Sequence, residues 1–140
     1  MSIAQWKDEL STGVNEIDNQ HKELINLVNS LHASLSQGKG KEVVDDAVRF
    51  LANYVVEHFK NEEGLMLKHK YIGYPAHKRE HENFVNYFNS LVSDYNAASN
   101  TSFLAINLQR SVVDWLVNHI MKVDKEMAKF VMAKAGSKIA

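Results

Sequence analysis

Four stretches of this chain repeat apolar residues at intervals of three and four, and that period constrains every other reading. Residues so spaced share one face of an α-helix, so each stretch predicts a helix with one apolar stripe. The first stripe is Leu24, Ile25, Val28, Leu31 and Leu35, and the second is Val44, Ala47, Val48, Leu51, Tyr54 and Val55. The third is Phe84, Phe88, Leu91 and Tyr95; the fourth is Leu104, Leu108, Val112 and then Trp115 or Leu116. One proline and six glycines in 140 residues leave few places to break such helices.

The expected helices span about 19–37, 41–68, 75–95 and 102–121, with a short C-terminal helix at about 125–134. Asp18 is the expected N-cap of the first, Gly38 its stop, and Pro75 sits in the first turn of the third. Residues 1–17 lack a sustained period and read as an irregular arm anchored by Trp6. Residues 69–74 and the polar run from Asn96 to Thr101 read as connections, and 136–140 are expected to fray. Four amphipathic helices with short connections predict an all-α fold: an antiparallel up-down-up-down four-helix bundle, one domain over 1–140.

A net charge of −1 gives no electrostatic basis for binding nucleic acid or an anionic membrane. No apolar run approaches the length of a membrane span, and no leader pattern precedes the first helix, so a cytoplasmic chain is expected. The absence of cysteine excludes thiolate-bound zinc, iron–sulfur clusters and disulfides.

The seven histidines are where chemistry enters. His58 and Glu62 lie four apart, as do His77 and His81, so each pair shares a helix face. They continue the apolar stripes of their helices, as His21 does in the first and His119 in the fourth. In an antiparallel bundle the start of the first helix, the end of the second, the start of the third and the end of the fourth meet at one end. Unpartnered, each such buried polar group would cost roughly 1–3 kcal/mol, in a domain whose whole stability is roughly 5–15 kcal/mol. A bound metal removes that cost. Asp124 follows His119 by five, which on an α-helix turns it well off the ligand face; it joins the group only where the helix ends or bulges. His69, in a connection, is expected to be exposed, and His32, about three turns from His21, is expected to be structural.

Five imidazoles and two carboxylates exceed the four ligands of zinc and suit two octahedral ions bridged by both carboxylates. A bridging oxygen atom then leaves one position open, on whichever ion has only two histidines. No Glu-x-x-His and no His-Glu-x-x-His occurs, which sets the chain apart from ferritin-like oxidases and zinc proteases.

Four signatures carry a resemblance. Trp6, Gly13, Val14, Ile17, Asp18, Gln20, His21 and Lys22 form the first; His58, Phe59, Glu62, Glu63, Leu65 and Met66 the second. Tyr74, Pro75, His77, His81 and Phe84 form the third, and Trp115, Leu116, His119, Ile120 and Asp124 the fourth. Over nearly its whole length the chain resembles the bacterial members of the hemerythrin family. That resemblance implies two iron ions, cycling between Fe2+ and Fe3+ and joined by an oxo or hydroxo bridge. His77, His81 and His119 would hold one and His21 and His58 the other, with Glu62 and Asp124 bridging. The implied activity is reversible dioxygen binding, at the iron with two histidines, for transport, storage or delivery, and not catalysis. Leu116, Ile25 and Phe59 are the expected walls of an apolar oxygen pocket. An oxygen-consuming enzyme or a reductase is the expected partner. Two alternatives remain: a sensor of oxygen or redox state acting through a separate partner, and a di-iron enzyme reducing nitric oxide or peroxide.

Overall fold

The computed structural model describes residues 3–98 and 100–139, the stretch 135–139 by its backbone alone. Helix α1 is Asn15–Ser36, α2 is Lys41–Lys68 and α3 is Tyr74–Ala98. The fourth rod is continuous but not uniform. It comprises α4 (Thr101–Asn107), a π-helical turn at Leu108–Val112, α5 (Val113–His119), a second π turn at Ile120–Asp124, and α6 (Lys125–Ile139). No strand occurs among the described residues. Each rod packs on its sequence neighbours, and α4 closes the ring against α1, which makes a four-helix bundle.

Some boundaries differ from the sequence reading. Helix α1 begins at Asn15, with Val14 as its cap, so Asp18 lies inside the helix. The Asp18 carboxylate accepts hydrogen bonds from the Thr12 amide (2.8 Å), the Thr12 hydroxyl (2.7 Å) and the Ser11 hydroxyl (2.7 Å). It therefore organises the chain entering the helix instead of the helix's own first turn. The C-terminal helix reaches Ile139 and continues the fourth rod through the second π turn, so it is no separate element. Of the stretch expected to fray, 136–139 is helical in its backbone and residue 140 lies outside the described residues. Residue 99, in the expected polar connection, and residues 1–2 of the arm also lie outside them.

The end of α1 shows why the chain stops where it does. Gly38 has φ +66, and the amides of Gly38 and Lys39 donate to the Leu35 and Ser34 carbonyls at 3.3 and 3.0 Å. This double closure needs a residue at ease in the left-handed region. The arm, with a 3-10 turn at Asp8–Leu10, is held chiefly by Asn29. Its side-chain oxygen accepts from the Ile3 and Ala4 amides, each at 3.0 Å, and its amide donates to the Ala4 carbonyl at 2.8 Å. Trp6 packs half-buried on the core, with Lys22 Nζ 5.0 Å above its ring.

Burial divides into two apolar bodies. The larger runs through all four rods and includes Leu24, Val55, Phe84 and Leu116. The smaller is Ile17, Met66, Met127 and Val131. Along every rod carrying both, the histidines and carboxylates fall between the two. His21 separates Ile17 from Leu24, His58 and Glu62 separate Val55 from Met66, and His119 and Asp124 separate Leu116 from Met127. The polar layer is thus sealed by hydrocarbon on both sides.

Candidate metal centre

All seven side chains singled out by spacing meet in that layer, and all are buried: His21, His58, Glu62, His77, His81, His119 and Asp124. Each arrives for a local reason. His58 and Glu62 sit one turn apart on α2, as do His77 and His81 on α3. Asp124 arrives because the second π turn spans Ile120–Asp124. A π turn closes i→i+5 hydrogen bonds, so residues five apart come onto one face.

The two carboxylates divide their oxygens. Glu62 Oε2 lies 3.3 Å from His21 Nε2 and 3.0 Å from His58 Nε2. Its Oε1 lies 3.5 Å from His77 Nε2 and 3.2 Å from His81 Nε2. Asp124 repeats the pattern, with Oδ2 3.0 Å from His21 Nε2 and Oδ1 3.0 and 3.1 Å from His77 and His119 Nε2. Two donor sets result. One is His77, His81, His119, Glu62 and Asp124; the other is His21, His58, Glu62 and Asp124; within each the donor atoms lie within 4.8 Å of one another.

His21 Nε2 and Glu62 Oε2 are hydrogen-bonded at 3.3 Å, but in the three-histidine set proximity does not mean hydrogen bonding. The Nε2 atoms of His77, His81 and His119, with Glu62 Oε1 and Asp124 Oδ1, are buried and make no hydrogen bond. These five atoms are the complete inner face of the three-histidine set. They converge on a common point instead of aiming at one another, an arrangement a cation satisfies and a hydrogen-bond network does not.

The outward nitrogens fix the tautomers. His58 Nδ1 lies 2.6 Å from Gln20 Oε1, His81 Nδ1 3.0 Å from Glu63 Oε2, and His119 Nδ1 3.0 Å from Glu80 Oε1. An oxygen acceptor there keeps the proton on Nδ1 and leaves the Nε2 lone pair pointing inward, as metal ligation requires. Aromatic stacking holds two rings further: Phe59 lies on His81 at 3.8 Å and Trp115 on His119 at 4.4 Å. The roles of Gln20, Glu63 and Glu80 are not legible from spacing. The only signal is adjacency, since each directly neighbours a cluster residue in sequence, and each in fact pairs with a cluster histidine on another helix.

Electrostatically the layer balances itself. Burial disfavours a charged imidazole, but the neighbouring Asp124 and Glu62 carboxylates outweigh it and raise His21 and His77 to about 9. His119 is raised for the same reasons. Burial alone would push both carboxyls up. Instead the surrounding imidazoles, His58 foremost for Glu62 and His119 for Asp124, hold them below the usual carboxylate range. Carboxylates and protonated imidazoles thus offset one another within the layer.

Of the expected pocket walls, Leu116 and Phe59 line a small internal cavity of about 10 Å3, bounded otherwise by Leu24, Val28, Leu51, Val55, Phe84, Val112 and Trp115. Every lining residue is apolar. Ile25 is buried in the main core but does not line this space. His32 stands apart from the layer, its Nδ1 3.5 Å from Ser36 Oγ. His69 is half-buried where exposure was expected; it stands at the C-cap of α2, its amide 3.1 Å from the Leu65 carbonyl.

Comparison with known proteins agrees with the geometry. The hemerythrin HHE cation binding domain matches residues 12–131. A bacteriohemerythrin of Methylococcus capsulatus is 38% identical over 126 residues, covering 89% of this chain and 94% of its own. One from Pseudomonas aeruginosa is 34% identical over 124 residues, covering 89% of this chain and 78% of its own. A crystal structure of wild-type hemerythrin is 35% identical with a TM-score of 0.79, covering 91% of this chain and 97% of that one. The chain belongs to the hemerythrin family, and its buried histidine–carboxylate cluster is suited to two metal ions.

Proposed function

We propose that this protein binds dioxygen reversibly at a non-heme di-iron centre, for oxygen transport, storage or delivery. The observation carrying the reading is that Glu62 and Asp124 each face both groups of histidines, three on one side and two on the other. Three imidazoles and two carboxylate oxygens give one ion five donors; two imidazoles and two carboxylate oxygens give the other four. If the two ions were six-coordinate and shared one bridging oxygen atom, one place would be left open, beside His21 and His58. The two irons, when bound, supply the electrons that make oxygen uptake reversible.

The protein's own groups do the rest. His77, His81 and His119 present unpartnered Nε2 atoms, His21 and His58 bring theirs to the same two carboxylates, and Glu62 and Asp124 would be shared between the two positions. Leu116 and Phe59, with the aliphatic walls beside them, exclude water and carry no proton donor of their own, so they favour binding over turnover. A cytoplasmic setting, with an oxygen-consuming enzyme or a reductase as receiving partner, completes the reading. In the described residues no helix is long and apolar enough to cross a membrane.

The test is an optical titration of the anaerobically reduced, iron-loaded protein with oxygen, followed by removal of the oxygen. A visible charge-transfer band saturating at one oxygen per two irons, and fading on deoxygenation, is expected. Irreversible oxidation would overturn the carrier reading in favour of a redox enzyme or a sensor. No band with iron fully loaded would overturn the di-iron reading itself.

A further inference from the structure

Three helices each lend an oxygen to a ligand on the next: Gln20 on α1 to His58 on α2, Glu63 on α2 to His81 on α3, and Glu80 on α3 to His119 on α5. The oxygens are not alike. Both that serve the three-histidine set belong to acidic side chains. The one that serves the two-histidine set belongs to a neutral amide; one histidine of each set, His21 and His77, meets no hydrogen-bond acceptor at Nδ1, so the contrast lies in the charge of the acceptors present. A hydrogen bond to a charged acceptor is roughly twice as strong as one between neutral groups. It draws the Nδ1 proton outward and enriches the Nε2 lone pair. The effect grows with the charge of the ion bound.

We propose that Glu63 and Glu80 are positioning residues that bias the pair of sites. They make the three-histidine position the first to fill and the one that better holds a more highly charged ion, while Gln20 leaves the open-sided position the weaker. The inference rests on the two-metal reading above and goes beyond it, because ligand count alone assigns no role to these residues. Glu63 has 19% of its side chain exposed and Glu80 45%, so solvent screens Glu80 more and Glu63 carries the larger effect.

The test is a calorimetric titration of the metal-stripped full chain with cobalt(II) at fixed pH, comparing wild type with Glu63→Gln, Glu80→Gln and Gln20→Glu. Glutamine keeps the oxygen and removes the charge. Glu63→Gln is expected to weaken the first binding step roughly 10–100-fold and to leave the second nearly unchanged. Glu80→Gln does the same to a smaller degree. Gln20→Glu is expected to tighten the second step and narrow the gap between the two. With iron, a tenfold larger loss for the ferric than the ferrous ion in Glu63→Gln appears as a rise of about 59 mV in the first midpoint potential.

Wild-type affinities in both glutamine variants, or equal weakening of both steps, would overturn the proposal, because a residue that merely holds a ring gives one of those results. If a glutamine variant fails to fold, Gln20→Glu decides alone, and an unchanged second step overturns the proposal. A wild-type chain taking up fewer than two cobalt ions would instead sink the two-metal reading.

Discussion

Filling the layer with divalent metal must expel protons, and the geometry says how many. His21 and His77 hold their protons up to about 9, so both are imidazolium at pH 7. They belong to different donor sets, so each metal displaces at least one proton. An ion that must displace one proton gains affinity about tenfold per pH unit, or about 1.4 kcal/mol. Between pH 7 and pH 8 the combined constant for both ions should therefore rise about 100-fold, levelling off as the pH nears 9. The assay is calorimetric titration with cobalt(II) in two buffers of different ionisation enthalpy, which counts protons directly. At least two protons per chain are expected at pH 7. Fewer than one, with affinity flat from pH 6.5 to pH 8.5, would refute the charge balance drawn here.

The same shifts set the stability of the metal-stripped protein, with the opposite sign. A histidine raised on folding stabilises fully below its unfolded value, near 6.5, and that contribution is lost as pH rises through about 9. Each of His21 and His77 accounts for on the order of 3 kcal/mol at most. Glu62 and Asp124, held low on folding, contribute above the ordinary carboxylate range, and their contribution is lost as pH falls. The stripped protein should be most stable between about pH 4.5 and pH 6.5 and melt progressively lower up to pH 9. The loaded protein, whose imidazoles are neutral ligands, should lack that alkaline decline.

Further outcomes follow from single changes. Glu62→Ala removes an oxygen from both donor sets and should bring iron occupancy below two per chain by metal analysis; retention of two irons would remove its bridging role. Leu116→Ala enlarges the apolar cavity and should cost about 2–5 kcal/mol in chemical denaturation. It should also speed autoxidation of the oxygenated protein, and an unchanged rate would take Leu116 out of the pocket. Deleting Lys122, which faces solvent in the second π turn, should convert that turn to α-helix with histidine and aspartate four apart on one face. Metal binding should survive, and its loss in a folded variant would refute the account of how Asp124 reaches the site.

What the sequence made legible was whatever a 3.6-residue period can encode. The buried stripes of α1 and α3 are Leu24 to Leu35 and Phe84 to Tyr95, as the spacing predicts, and six of the seven cluster residues sit where apolar residues would stand. The beginning of α1 was not legible. Asp18 has the composition of a cap, but composition does not tell a carboxylate that caps its own helix from one that ties down the chain before it. The outer acceptors were hidden for a related reason. Gln20, Glu63 and Glu80 project from flanks that look solvated on each helix alone, and only the packing angle between helices turns them onto a neighbour's ligand.

The fourth rod shows where the period itself misleads. Leu104, Leu108, Val112, Leu116 and Ile120 follow one another at intervals of four and are all buried. On an uninterrupted α-helix each such step drifts about 40°, so the last would face about 160° from the first. That drift is what leaves Trp115 and Leu116 as rival core residues, and it also sends Asp124 about 140° away from His119. Two π turns, at Leu108–Val112 and Ile120–Asp124, absorb the surplus. Leu116 is then buried, Trp115 is left half-buried and stacked on His119, and Asp124 faces the other carboxylate. The run of fours and the pairing of His119 with Asp124 are therefore one signal. A stripe that outlasts the period of an α-helix means the helix is locally wider, and here the extra width brings the second carboxylate into the cluster.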